Sequence, residues 1–583
     1  LRPIQADAYR AMGIGMQYQG ELDEALEKLE RALSIYQSIK DDQNTAMMQM
    51  ELGVCCQYQG NTRQAVKYYE QALSYWQSVR NNTRQSFVLN NLGSLHQLSG
   101  NYIEAAKLLE QALSLARSNG ILRSEAYLLF NLGNLYADLE ANDSARDAYQ
   151  KTREACKTLE DHYLLLNIEL AESTLARREG KCSRAKAYLR SAEGLIQKSR
   201  SNFETSIWAM EAGSLDLAEN QPQAAVQHLA EAHTLFKESG QKLEAASAAL
   251  LLSQAYALSN EPQQARTTLE QTLGVLQNLD SIQPLIVVGR GAKEVLKSHI
   301  SDPQIGPSAV RLLSQIENFE RHIATFRRRL RPHAATVLLI PPRLSICALG
   351  KVQVKIDGKP VTSSTWINQK RARELFFFLL AHPNKGLTRE EIGVSLWPES
   401  STDLLKLQFR NTIYYLRYAL GQDVILNADR RYSFNSDMDY SYDVQEFERK
   451  LVQAEAAEPP GNKVELLQES FQLYQGEFYP EGEGSWVIAE RQRLSQMYEH
   501  CLLTLAQIQL EKGEPKTALM HCQTIIAENH CMESAHRLAM QAFAAMGNRS
   551  GVVNQYELCK QYLQEELGLE PSPETVKLYK LIR

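Results

Sequence analysis

At 583 residues the chain is far longer than one ordinary domain, so two to four are expected. Its composition, 44% hydrophobic and 23% charged, is that of a soluble globular protein, with no run of about 18 apolar residues to span a bilayer and no signal-peptide pattern at its start. A net charge of −6 argues against a nucleic-acid coat over the whole surface, so any nucleic-acid site must be local.

From Leu1 to about Asp280 the sequence repeats itself. Gly20, Gly60, Gly100 and Gly180 share a 40-residue register, in which Glu140, Asn220 and Asn260 occupy equivalent turns. Each turn precedes a similar phrase: Glu24-Ala25-Leu26, Gln64-Ala65-Val66, Glu104-Ala105-Ala106, and so on to Gln264-Ala265-Arg266. Two antiparallel helices approach closely only where a small side chain faces the partner, which is the part assigned to the alanine and to Gly53, Gly93 and Gly133. This resembles tetratricopeptide repeats in the longer form found in MalT-like bacterial regulators. The expected fold is an α-solenoid of about seven repeats with capping helices over 1–320, whose groove binds an unknown ligand or protein, or else serves as a spacer.

Next come Arg327-Arg328-Arg329-Leu330-Arg331 and the prolines Pro332, Pro341 and Pro342. Charge and proline together predict a linker over 321–343.

Residues 344–440 carry the local basicity, with a net charge near +3. Two short β-type runs, Leu344 to Leu349 and Val352 to Ile356, open the segment. An apolar helix follows Lys370-Arg371-Ala372-Arg373 and ends at His382-Pro383-Asn384-Lys385-Gly386, and a capping box at Thr388-Arg389-Glu390-Glu391 starts another that stops at Trp397-Pro398. A third helix is predicted over Leu404 to Leu420. Phe409, Ile413, Leu416 and Leu420 form its buried stripe, while Lys406, Arg410, Tyr414 and Arg417, with Asn411 beside them, form a basic, hydrogen-bonding face. Arg410 and Arg417 lie two turns apart, about 10 Å along the axis, so both could reach one major groove. The same pattern also suits an amphipathic helix with a merely solvated face. Strand, turn and strand are expected at Val424-Ile425-Leu426, Asn427 to Arg431 and Tyr432-Ser433-Phe434. Three helices and a basic hairpin make a winged helix-turn-helix.

Ala348-Leu349-Gly350, Trp366, Arg373-Glu374-Leu375, Leu396-Trp397-Pro398 and Leu416-Arg417-Tyr418-Ala419-Leu420-Gly421 resemble the response-regulator-type winged helix of the Streptomyces antibiotic regulatory protein (SARP) class. Two positions depart from that pattern: Tyr415 replaces a basic residue, and Arg431 a glycine in the wing. The resemblance implies Lys406, Arg410, Asn411, Tyr414 and Arg417 in the major groove and Arg430 and Arg431 on the minor groove or backbone, with Lys370, Arg371 and Arg373 clamping phosphate.

Residues 441–583 read as all-helical. Leu473-Tyr474-Gln475-Gly476-Glu477-Phe478, Trp486, Glu490-Arg491-Gln492-Arg493-Leu494, Gln555-Tyr556 and Glu565 to Thr575 resemble, in order, the bacterial transcriptional activator domain (BTAD) of the same class. Gly513-Glu514-Pro515 with Ala518 adds a tetratricopeptide-like turn. By the resemblance, this domain packs on the winged helix and assists homodimerisation, and the loop Glu399 to Asp403 lies near a contact with RNA polymerase.

The chain is therefore expected to be mainly α and to act as a cytoplasmic transcription regulator, an activator by the resemblance, that binds double-stranded DNA, needs no cofactor or metal and is not an enzyme. The contrasting reading is a helical scaffold that binds protein instead. Nine cysteines, an odd number scattered through helical sequence, fit reduced thiols better than a disulfide framework. No phosphate loop, Gly-x-Ser-x-Gly elbow or His-Glu-x-x-His pair occurs, and His521, Cys522, His530 and Cys531 match no usual zinc spacing. Because the first residue is Leu and related regulators often carry a nucleotide-binding switch before their repeats, an upstream domain is expected in the intact protein.

Overall fold

The computed structural model describes residues 2–19, 21–199, 201–276, 279–383, 385–457 and 460–583. Leu1, Gly20 and Asn384 lie outside them. Two compact units emerge, 1–340 and 341–583. Among the described residues no helix is long and apolar enough to cross a membrane.

The first unit begins with seven antiparallel helical pairs, from Arg2–Gln19 with Leu22–Ser38 to Lys242–Leu258 with Pro262–Val275. The first helix of every pair starts 40 residues after the one before. Ala25, Ala65, Ala105, Ala145, Ala185, Ala225 and Ala265 are all fully buried, as the close-contact argument requires. The glycines on the facing helices do equivalent work: a Cβ on Gly133 would lie 2.4 Å from the Tyr149 ring. Turns inside the repeats close with a left-handed residue at Gly60, Gly100, Glu140, Gly180, Asn220 and Asn260. A second set, between repeats, does the same at Lys40, Arg80, Gly120, Glu160 and Gly240.

Past the repeats, Gln283–Gly289 and Lys293–Ser298 lead into the long helix Gly306–Leu330. That helix turns back onto the third pair, where Tyr102 stacks on Phe319 at 5.7 Å and meets Phe326 at 5.4 Å. The segment 321–343, expected as a linker, therefore differs over most of its length. Residues 321–330 finish this helix, and 334–340 are strapped to the repeats. The Tyr136 hydroxyl donates to the Val337 carbonyl at 2.9 Å, Ser144 to that of Leu338 at 2.9 Å, and Glu110 accepts from the Thr336 hydroxyl at 2.7 Å. Val337 is fully buried, which outweighs the polar, proline-rich look of the segment.

In the second unit, β1 (Leu344–Cys347) pairs antiparallel with β2 (Gln353–Ile356), which pairs with β3 (Lys359–Pro360). Three helices follow, Lys370–Ala381, Arg389–Leu396 and Thr402–Leu420, with β4 (Leu387–Thr388) between the first two. The hairpin β5 (Ile425–Ala428) and β6 (Arg431–Phe434) adds to β4, and β7 (Tyr440–Tyr442) returns parallel to β1. This is a winged helix with an N-terminal sheet. Asn427, Ala428 and Arg431, expected in the turn, are strand residues; the turn itself is Asp429-Arg430, both with positive φ, the geometry of a tight hairpin.

Among the described residues, seven helices and one π-turn follow, from Asp443–Glu455 to Pro573–Ile582. They share one continuous core with the winged helix. The Asp443 carboxylate accepts from the Ala348 and Leu349 amides at 2.7 and 2.9 Å, and Tyr479 packs its ring 4.5 Å from that of Phe377.

Candidate nucleic-acid interface

Helix Thr402–Leu420 buries Leu405, Phe409, Thr412, Ile413, Leu416 and Leu420 and stops at Gly421, whose φ of 115° suits only glycine. Its seat on the preceding helix is tight, since a Cβ on Gly393 would lie 2.5 Å from Leu405. The Phe409 ring meets that of Tyr432 edge-on at 4.7 Å, which fixes the wing against the helix.

On the opposite face Lys406, Arg410 and Asn411 are exposed, and none makes a hydrogen bond or ion pair to another described residue. Tyr414 is also exposed and stacks on Tyr418 with ring centres 6.2 Å apart. Arg417 differs from these. It is half-buried, and its Nη2 donates to the Ile425 carbonyl at 2.9 Å, so it braces helix to wing and is not a free reader of bases.

At the wing tip, Arg430 is exposed and unpaired among the described residues. Arg431 is exposed too, but donates to the Gly386 carbonyl at 2.7 Å and lies 3.6 Å from Glu391. Between helix and wing runs a groove of about 760 Å³ whose lining includes Arg389, Lys406, Arg410, Arg417, Asn427 and Arg430. Five cations thus face Glu390 and Asp403 across one concavity, an arrangement that attracts polyanions. Neither Arg389 nor Asn427 stands out in the sequence. The first is hidden in the capping box, and only the strand assignment aims the second at the groove.

The three basic residues expected to clamp phosphate face carboxylates instead. Lys370 pairs with Glu483 at 2.8 Å and Arg371 with Glu374 at 2.5 Å. Arg373 is mostly buried, donating to the Trp366 and Ile367 carbonyls and lying 3.2 Å from Glu481. The acidic loop after Tyr479 has claimed the positive edge of helix Lys370–Ala381. Arg373 is a structural tie, while Lys370 and Arg371 remain at the surface in pairs worth little energetically.

All nine cysteines are free thiols. Burial pushes the Cys55 and Cys56 thiols up to about 12 and about 11, as suits core packing.

Comparison with known proteins agrees with this architecture. Residues 442–583 match the bacterial transcriptional activator domain, and 4–78, 44–118 and 90–158 match tetratricopeptide repeats. Regulatory protein AfsR of Streptomyces griseus is 24% identical over 213 residues, covering 36% of this chain and 22% of that protein. AfsR of Streptomyces coelicolor is 25% identical over 228 residues, covering 39% and 23%. The chain thus spans less than a quarter of the length of these curated relatives. A structure of Mycobacterium tuberculosis EmbR in complex with a low-affinity phosphopeptide aligns over 41% of this chain and 65% of its own, at 18% identity and a TM-score of 0.36. The domain matches and the AfsR relatives bear out the resemblance to SARP/BTAD-class regulators with N-terminal tetratricopeptide repeats.

Proposed function

We propose that this SARP-type transcriptional regulator binds double-stranded DNA in a sequence-specific manner and activates transcription. Helix Thr402–Leu420 lies in the major groove, with Lys406, Arg410, Asn411 and Tyr414 toward the base edges. Arg430, at the tip of the wing, reaches the minor groove or backbone. Arg389, Arg431, Lys370 and Arg371 flank these as phosphate contacts, the last two by exchanging a surface carboxylate for phosphate. Arg417 serves by holding helix and wing in register. The loop Glu399 to Asp403, exposed apart from the half-buried Glu399 and Ser400 side of its first turn, is the surface offered to RNA polymerase, and a homodimer reads two half-sites. The repeat groove senses a ligand or protein partner and regulates DNA binding or polymerase recruitment.

The observation that carries this reading is the set of unpaired groups Lys406, Arg410 and Asn411 on the exposed face of a helix already braced by a wing. The test is binding of the whole chain to duplex DNA from its own upstream region across a salt series. Neutralised phosphates release counterions, so a steep fall of affinity with salt is expected, flattened in a Lys406→Ala, Arg410→Ala variant. Affinity unaffected by both changes would remove the helix as reader, and no binding at any salt concentration would favour a protein-binding scaffold.

A further inference from the structure

The inner faces of the helices Leu122–Asp138, His162–Arg178, Asn202–Ala218 and Lys242–Leu258 enclose a cavity of about 1100 Å³, closed on its far side by residues around Pro284 to Gly291. Its lining repeats with helical spacing: Phe130, Asn134 and Asp138 on one helix, Leu170, Thr174 and Arg178 on the next. The volume is at or above the upper end of small-molecule sites, about 300–1,000 Å³.

The charges around it are mostly matched. Arg177 is held by Glu211 through two hydrogen bonds of 3.1 and 2.9 Å, Arg290 by Glu140 at 2.9 Å, and Glu320 by Lys293 at 3.0 Å. Two groups are left over. Arg178 donates only to the Ala137 carbonyl, at 3.1 Å, and Asp138 accepts from the Gln97 amide, at 2.8 Å; neither forms an ion pair with a described residue. Each ends an inner helix of adjacent repeats. Their surroundings suit neither charge. Burial and the neighbouring Arg290 bring the Arg178 guanidinium down to about 10, and burial raises the Asp138 carboxyl. The Nη2 of Arg290 is buried without a partner.

A cavity that is balanced overall but holds one unmatched cation and one unmatched anion is complementary to a ligand with both charges and no net charge. A phosphate or simple dicarboxylate would leave Asp138 facing like charge. Uncharged recognition fits the same class. The Asn134 carbonyl accepts from the Tyr149 hydroxyl at 2.8 Å and that of Gln254 accepts from the Val295 amide at 2.9 Å, so both keep NH₂ groups for carbonyl acceptors. Leu170, Met210, Leu251 and Val287 supply apolar wall.

We propose that this cavity is the sensor site and takes a zwitterionic ligand, a short apolar peptide with both ends free, its carboxylate on Arg178 and its ammonium on Asp138. The assignment rests on the reading that the repeats sense a ligand. The whole chain would be dialysed against an equimolar mixture of tripeptides built from alanine, leucine, valine and phenylalanine, and bound species identified by mass spectrometry and titrated calorimetrically. Binding by at least one free tripeptide is expected, weakened at least tenfold by C-terminal amidation or N-acetylation. Arg178→Gln should abolish the penalty for amidation, and Asp138→Asn that for acetylation, while Arg178→Lys retains binding and melting curves verify folding. Binding of none of the tripeptides, equal binding of capped forms, or wild-type selectivity in both variants would overturn the proposal. These measurements use no DNA. Affinity for the upstream duplex with and without the bound tripeptide is measured separately, so failure of DNA binding or of its regulation does not alter what the tripeptides show about the cavity.

Discussion

Arg417 reaches from the reader helix to the wing, its Nη2 2.9 Å from the carbonyl oxygen of Ile425. The Nε of the same guanidinium is buried without a partner, so this side chain is spent on the fold while Lys406 and Arg410, on the same helix, are left free. The two kinds of arginine should separate experimentally. Arg410→Ala is expected to weaken binding to the cognate duplex by about 1–3 kcal/mol with the unfolding midpoint unchanged. Arg417→Ala is expected to lower the unfolding midpoint, and to weaken cognate and unrelated duplexes alike. Denaturation and duplex titration on the two variants check this.

Arg373 carries the opposite expectation from the one its sequence context suggests. It ties the Trp366 and Ile367 carbonyls to its own helix and lies beside Glu481. Arg373→Ala should therefore destabilise the chain by about 1–3 kcal/mol, the cost of leaving buried acceptors unmet. The slope of log affinity against log salt should stay at its wild-type value. A flattened slope with normal stability would return this residue to the phosphate contacts.

These cases show which parts of the molecule are local in the sequence. The repeat register was legible because every contact that enforces it, such as Ala145 beside the Gly133 and Tyr149 pair, recurs within 40 residues. The buried stripe of the reader helix was legible for the same reason. The basic run from Lys370 to Arg373 looks like a phosphate clamp because its acidic partners, Glu481 and Glu483, lie more than a hundred residues downstream. Similarly, the strap from Ala334 to Ile340 reads as tether, since its partners Tyr136 and Ser144 are about two hundred residues upstream. The wing turn is tighter than the sequence suggests because Asp429 and Arg430 adopt positive φ without a glycine to signal it.

Two glycines in helical positions should respond in opposite senses to alanine. At Gly133 the new methyl would sit 2.4 Å from the Tyr149 ring, inside the core, and overpacking of that kind costs about 1–3 kcal/mol. At Gly15, also inside a helix, nothing lies within 4 Å of the new atom. There the gain in helix propensity should stabilise by about 0.5–1 kcal/mol. Urea denaturation of the two variants provides the comparison.

His536 makes the stability of the activator domain sensitive to mild acid. Its ring is fully buried; Nε2 lies 2.9 Å from the His530 carbonyl, and Nδ1 lies 2.7 Å from the Gln555 Nε2. That pattern fits one tautomer of neutral imidazole, with Nε2 donating and Nδ1 accepting; a proton on Nδ1 would face another donor. Burial lowers the folded-state value below the ordinary histidine value, and His521, also buried, is lowered for the same reason. Because the unfolded chain then binds more protons than the folded one, stability is fully present above about pH 6.5 and falls as pH drops below it, until the folded value is reached. The melting temperature should therefore decline on acidification from about pH 7 to about pH 5. A His536→Gln variant, which can still donate to the His530 carbonyl, should melt lower at neutral pH but lose less on acidification. An equal decline in both forms would assign the effect to other groups.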